Sequence, residues 1–127
     1  MARSYRELLV WQKAKALAVD IFRATESFPR SQLYGLTSQL RRAAVSVASN
    51  IAEGQGWLTS GEFLHFLGQA RGSLLELDTQ LAIGHDLGSL ETEMYERLDR
   101  EGYQVLGLLN RLIESLKQRR HAPSLKP

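Results

Sequence analysis

A chain of 127 residues with 43% hydrophobic residues is one domain, long enough to bury a sizeable core. It has no cysteine and a formal net charge of only +2, which excludes disulfides, thiolate chemistry and a surface that is basic all round. No window approaches the ~18 apolar residues of a membrane span, and the N-terminus lacks the basic-then-apolar pattern of a secretory leader, so a cytoplasmic location is expected.

The prolines are Pro29, Pro123 and Pro127, and between these breaks the apolar period is helical throughout. The first segment opens on Ser4-Tyr5-Arg6-Glu7, a capping box. Val10, Ala14, Leu17, Ile21, Ala24 and Phe28 follow at alternating steps of four and three, a stripe along one helix face widened by Trp11, Ala18 and Phe22. Pro29 ends it. The second segment begins between Tyr34 and Thr37 and carries Leu36, Leu40, Ala43, Ala44, Val47 and Ile51. Gly54 and Gly56 are expected to end it as residues tolerant of the left-handed conformation.

Thr59-Ser60-Gly61-Glu62 is a second capping box, with Leu58 and Phe63 placed as a hydrophobic staple. Phe63, Leu67, Ala70, Leu74, Leu77, Leu81 and Gly84 then form a heptad seam. Gly84 and Gly88 bracket its end, and Ser89 is placed to cap the fourth segment, whose stripe is Met94, Leu98, Val105, Leu109, Leu112 and Leu116. Four amphipathic segments joined by short turns predict an all-α, up-down-up-down antiparallel four-helix bundle over residues 1–121, with 122–127 a frayed tail.

Two helices carry a second, unusual face. On the second segment Arg41, Arg42, Val45, Ser49 and Ala52 lie off the core, where Glu, Lys and Gln are usual. On the third, Leu64, Gly68, Leu75 and Ala82 make a stripe away from the seam, with Arg71 beside it. Two apolar faces of different character predict self-association head to tail into a ring. The interface residues expected are Arg41, Arg42, Val45, Ser49, Leu64, Arg71 and Leu75. The plain alternative is arginines that run along the bundle surface into water.

The proposed topology also sorts charge. Arg3, Arg6, Lys117, Arg119, Arg120 and Lys126 gather at one pole with Trp57, opposed by Glu7, Glu53 and Glu62. Glu26, Asp78, Asp86, Glu91, Glu93 and Glu96 gather at the other, against Arg23, Arg30 and Arg97. A ring would multiply the basic pole into a phosphate-binding surface, with Arg3, Arg6, Lys117, Arg119 and Arg120 as its nucleic-acid contacts. The plain alternative is a solvated helix end whose cations favour the dipole.

Catalytic and metal constellations are weak. Glu62-Phe63-Leu64-His65 is half of a di-iron motif without its second copy, and both side chains point off the seam. Gly54-Gln55-Gly56 follows a helix rather than a strand, so it is no phosphate loop. No serine has a local base or elbow motif. No cofactor, metal site or enzymatic activity is expected.

Trp11-Gln12-Lys13-Ala14, Phe28-Pro29, the run from Tyr34 to Ser46, Ser49 to Gly54, Phe66-Leu67, Ala70-Arg71-Gly72-Ser73 and Glu76-Leu77 resemble one family. It is the bacterial four-helix bundle proteins encoded within intervening sequences of 23S ribosomal RNA genes. The resemblance spans about residues 5–118. It implies a homopentameric barrel of bundles, related to the accessory variability determinant proteins of diversity-generating retroelements, which are basic, non-enzymatic and bind nucleic acid and a reverse transcriptase. The function expected is therefore an oligomeric scaffold for RNA or DNA, with a reverse transcriptase as a further partner. The alternative is an oligomer that binds only protein.

Overall fold

The computed structural model describes residues 4–56 and 59–121, the last two by backbone alone. Arg3, Trp57, Leu58, Lys126, the Arg120 side chain and the tail 122–127 therefore lie outside the described residues. Four helices carry the fold: α1 (Leu9–Thr25), α2 (Ser38–Gln55), α3 (Ser60–Asp86) and α4 (Thr92–His121). Among the described residues there is no strand. Each helix packs on its neighbours in sequence, and α1 closes the square on α4.

Cross-helix pairs run in opposite senses along the chain, so neighbouring helices are antiparallel. Ser46 meets Ser73 at 2.9 Å, while Gly54, further along α2, lies against Phe63 and Phe66, earlier in α3. Arg71 reaches Asn110, and Leu74 lies beside Gly102. The fold is thus the expected up-down-up-down bundle.

The core is the predicted seams. Leu17, Ile21, Leu40, Val47, Ile51, Leu67, Leu77, Leu98, Val105 and Leu109 are fully buried. In the last turns of α4 Ile113 and Leu116 are buried, with Leu112 only half-buried. The heptad from Leu109 to Leu116 is kept, and the position between them is filled from Ile113 rather than Leu112.

The helix ends correct several expectations. The Ser4 hydroxyl accepts from the Arg6 N–H and caps a 3-10 turn over Tyr5–Glu7; α1 starts only at Leu9. That turn is fastened by the Gln12 amide donating to the Arg6 carbonyl at 2.8 Å and by the Tyr5 ring edge-on to Trp11. Between Pro29 and α2 the chain passes through a 3-10 turn and a π turn with Gly35 off helical values. At the second predicted box the N-cap bond forms, with Thr59 Oγ1 accepting from the Glu62 N–H at 3.2 Å.

Gly54 and Gly56 do not end α2 in the left-handed conformation. Gly54 is buried inside the helix, and Gly56 is right-handed at φ −72. Gly54 is small because α3 crosses there: a Cβ would lie 2.7 Å from Phe66 Cβ and 3.1 Å from Phe63 Cδ1. The left-handed glycine is Gly88, φ +80, after α3. There the Ser89 and Leu90 N–H groups both donate to the Gly84 carbonyl. Ser89 does not cap α4, which begins at Thr92; its hydroxyl donates to Gln32 Oε1 at 2.9 Å.

Candidate binding surfaces

The seven predicted interface residues separate into packed and exposed groups. Arg41 lies against α1 of its own bundle. Its Nε donates to Thr25 Oγ1 at 2.9 Å, and its guanidinium sits 5.0 Å from the centre of the Phe22 ring. Thr25 is buried and passes its own hydrogen to the Ile21 carbonyl, so the cation is tied to the helix backbone. Arg71 donates to Asn110 Oδ1 of α4 at 3.0 Å. Leu64 is half-buried and packs against the core. These three side chains therefore have partners inside one bundle.

Val45, Ser49, Arg42 and Leu75 are exposed. Val45 is 45% accessible and Leu75 51%, which marks them as apolar groups that the bundle itself does not cover. Arg42 shares the groove between α2 and α3 with Gln39, Glu76, Gln80 and Ile83. On the same pair of helices, Ser46, Ser73 and Asn50 form a half-buried hydrogen-bonded set, with Asn50 Nδ2 donating to the Ser46 carbonyl at 2.9 Å. Asn50 is thus a structural hydrogen-bonding residue.

At the predicted basic pole, Arg6, Lys117 and Arg119 are exposed. Arg6 sits over two rings, 5.7 Å from the Tyr5 centroid and 5.9 Å from that of Trp11, and the Lys15 ammonium lies 5.4 Å from the Trp11 centroid. Cations held on aromatic faces keep their charge available to solvent. Antiparallel packing brings the start of α1 beside the ends of α2 and α4 and the start of α3.

The opposite half of the bundle holds acidic pairs that the sequence pattern did not single out. Asp78 of α3 neighbours Asp99 of α4; burial first, and then the neighbouring carboxyl through hydrogen bonding and charge, raise its pKa above the ordinary aspartate value. Burial, a hydrogen bond to Asp20 and the charge of Asp20 likewise raise Glu101, against the opposing pull of Arg97. Arg97 answers both, at 3.6 Å from Asp20 and 3.0 Å from Glu101. Burial and the charges of Asp99, Asp78 and Asp86 raise Tyr95. His85 stacks on Tyr95 at 4.6 Å and bonds to Thr92 Oγ1, joining the end of α3 to the start of α4.

Between α3 and α4, beside the Asp78–Asp99 pair, a cavity of about 260 Å³ opens into the bundle. Its position has a sequence signal. The α4 stripe runs Leu98 to Val105 with Glu101 and Gly102 between them, so no apolar side chain fills that turn. Its inner wall includes Leu17, Leu74, Leu77, Leu81 and Leu98.

Among the described residues no group of three or more His, Cys, Asp or Glu is placed to hold a metal ion. His65 bonds to Gln69 and lies edge-on to Phe66. No described helix is long and apolar enough to cross a membrane.

Comparisons with known proteins agree with this architecture. A solved structure of a Bacteroides thetaiotaomicron protein of unknown function, from the S23 ribosomal protein family, superposes with a TM-score of 0.78 at 21% identity, over 84% of this chain and 96% of that one. At that identity the likeness speaks for the fold. No curated protein matches significantly. The family model described as 23S rRNA-intervening sequence protein matches residues 6–111, a span that takes in α1, α2, α3 and most of α4. The chain belongs to the 23S rRNA-intervening sequence protein family.

Proposed function

We propose that this chain is a non-enzymatic scaffold that self-associates and offers its basic pole to nucleic acid. The ring forms through the uncovered faces of α2 and α3, with Val45, Leu75, Ser49 and Arg42 in the interface, and five subunits is the number that the sequence resemblance implies. RNA or DNA phosphate meets Arg6, Lys117 and Arg119, joined by Arg3 and Arg120. A reverse transcriptase is the protein partner that the kinship with retroelement accessory proteins adds.

The observation that supports this reading is the segregation of charge. Arg6, Lys117 and Arg119 stand exposed at one end of the bundle, opposed there by Glu7, Glu53 and Glu62, while the carboxylate pairs stand towards the other end with Arg97 paired to Asp20 and Glu101. A chain with a formal charge of only +2 concentrates positive potential only if charge is sorted in this way, and a ring repeats the basic end once per subunit. Fluorescence anisotropy with a short labelled RNA across salt concentrations tests it. Lys117→Glu with Arg119→Glu should weaken binding and flatten the salt dependence, by a slope of ~0.7 for each phosphate no longer neutralised. Absence of binding by the parent protein at low salt would remove nucleic acid from the account.

That result would leave the second reading, an oligomer that binds only protein. The small net charge and the exposed Val45 and Leu75 favour it.

A further inference from the structure

The cavity between α3 and α4 is made by what α4 omits. Leu98 and Val105 are buried, and the seam position between them holds Glu101 and Gly102. Glu101 is engaged by Arg97 and Asp20. A Cβ placed on Gly102 would meet only Leu74 Cδ1, at 3.9 Å. Space therefore remains where a bundle of this kind would carry a large side chain.

The chemistry of that space is two-part. The walls are leucines, and the cavity's 260 Å³ exceeds the roughly 150 Å³ of a leucine-lined cavity known to take up benzene. The mouth carries Asp78 and Asp99 together, with Tyr103 and Leu75 on the rim. Tyr103 is 77% accessible, so its ring is open to a cation. Two neighbouring carboxylates repel, and a single positive charge between them relieves both. Calcium takes six to eight oxygen ligands and zinc four ligands drawn mainly from Cys and His, and this opening, with two aspartates among leucines, supplies neither set.

We propose that this cavity binds a small hydrophobic monocation, an aryl- or alkylammonium whose apolar body fills the space opposite Gly102 and whose charge sits at Asp78 and Asp99. The site is separate from the basic pole and does not depend on nucleic-acid binding. Leu75 belongs to both the rim and the proposed self-association face, so solution mass is followed alongside the binding.

Isothermal titration of the full chain with phenethylamine, against hydrocinnamate and phenethyl alcohol, tests it. The amine should bind saturably, and the anion should bind at least about tenfold more weakly, a difference of about 1.4 kcal/mol. Asp78→Asn and Asp99→Asn, both surface changes, should each weaken the amine several-fold while leaving the alcohol unchanged. Gly102→Leu, checked for helicity and mass, should abolish all binding. No binding by the parent protein would overturn the proposal. So would equal affinity for amine and anion, or amine binding indifferent to the aspartate variants or to a folded Gly102→Leu.

Discussion

Gly54 and Gly102 both lie inside long helices, yet the structure gives the same substitution opposite signs. At Gly54 an added methyl would lie 2.7 Å from Phe66 Cβ and 3.3 Å from the Phe63 carbonyl oxygen. Neither atom is the far end of a flexible side chain, so α2 and α3 must move apart. Overpacking of this kind costs roughly 1–3 kcal/mol, while alanine returns about 1 kcal/mol of helix preference over glycine. A hard clash with a backbone-fixed atom places the cost in the upper part of that range, so Gly54→Ala should destabilise by about 1–2 kcal/mol. At Gly102 the nearest atom is Leu74 Cδ1 at 3.9 Å, an ordinary van der Waals distance. Gly102→Ala therefore keeps the helix gain and should stabilise by about 1 kcal/mol. Urea unfolding at one fixed protein concentration reads both, since self-association would otherwise shift the midpoint. On heating, each kcal/mol corresponds to roughly 3–5 °C for a domain of this size. A Gly54→Ala protein as stable as the parent, or a less stable Gly102→Ala protein, would refute the account of how these helices approach.

Three further outcomes follow from the surfaces. Val45→Glu and Leu75→Glu should each lower the solution mass with helicity unchanged in circular dichroism; if both keep the parent mass, the uncovered faces are not the interface. Arg41→Met should cost about 1 kcal/mol in urea by removing the bond to Thr25 and the cation over Phe22, with mass unchanged, because its partners lie within one bundle. Asp99→Asn should stabilise at neutral pH by less than about 1 kcal/mol, since the pair is solvent-screened. The sign follows from the raised pKa of Asp78. A carboxyl raised on folding contributes its stability below the ordinary aspartate pKa and loses it as pH rises through the folded value. The gain from Asp99→Asn should therefore shrink on acidification through the carboxylate range, which unfolding curves at several pH values check.

The helix seams are plain in the sequence because burial in a bundle imposes one period on every segment. Leu40, Ala43, Ala44, Val47 and Ile51 alternate as a core stripe must, and all are buried. Helix ends are harder, because several side chains serve a turn equally well. Ser4 and Ser89 are competent caps, and packing assigns one to a 3-10 turn and the other to Gln32. Gly54 reads as a stop signal along the chain, whereas its role lies in the crossing with Phe63 and Phe66. Arg41 and Arg71 illustrate a further limit: a helical wheel shows that a residue leaves the core face but not whether a neighbouring helix receives it. The Asp78–Asp99 and Asp20–Glu101 pairs each join residues from different helices, so only the register between helices reveals them. One signal does lie in the chain itself, the gap in the α4 stripe at Glu101 and Gly102, and it marks the cavity.

Solution mass by light scattering on a sizing column, at low and moderate salt, with and without a short RNA, addresses the central claim most directly. The scaffold account predicts one discrete oligomer, near five subunits, that carries RNA at low salt and sheds it at higher salt. A monomer under every condition, with no RNA bound, would contradict it.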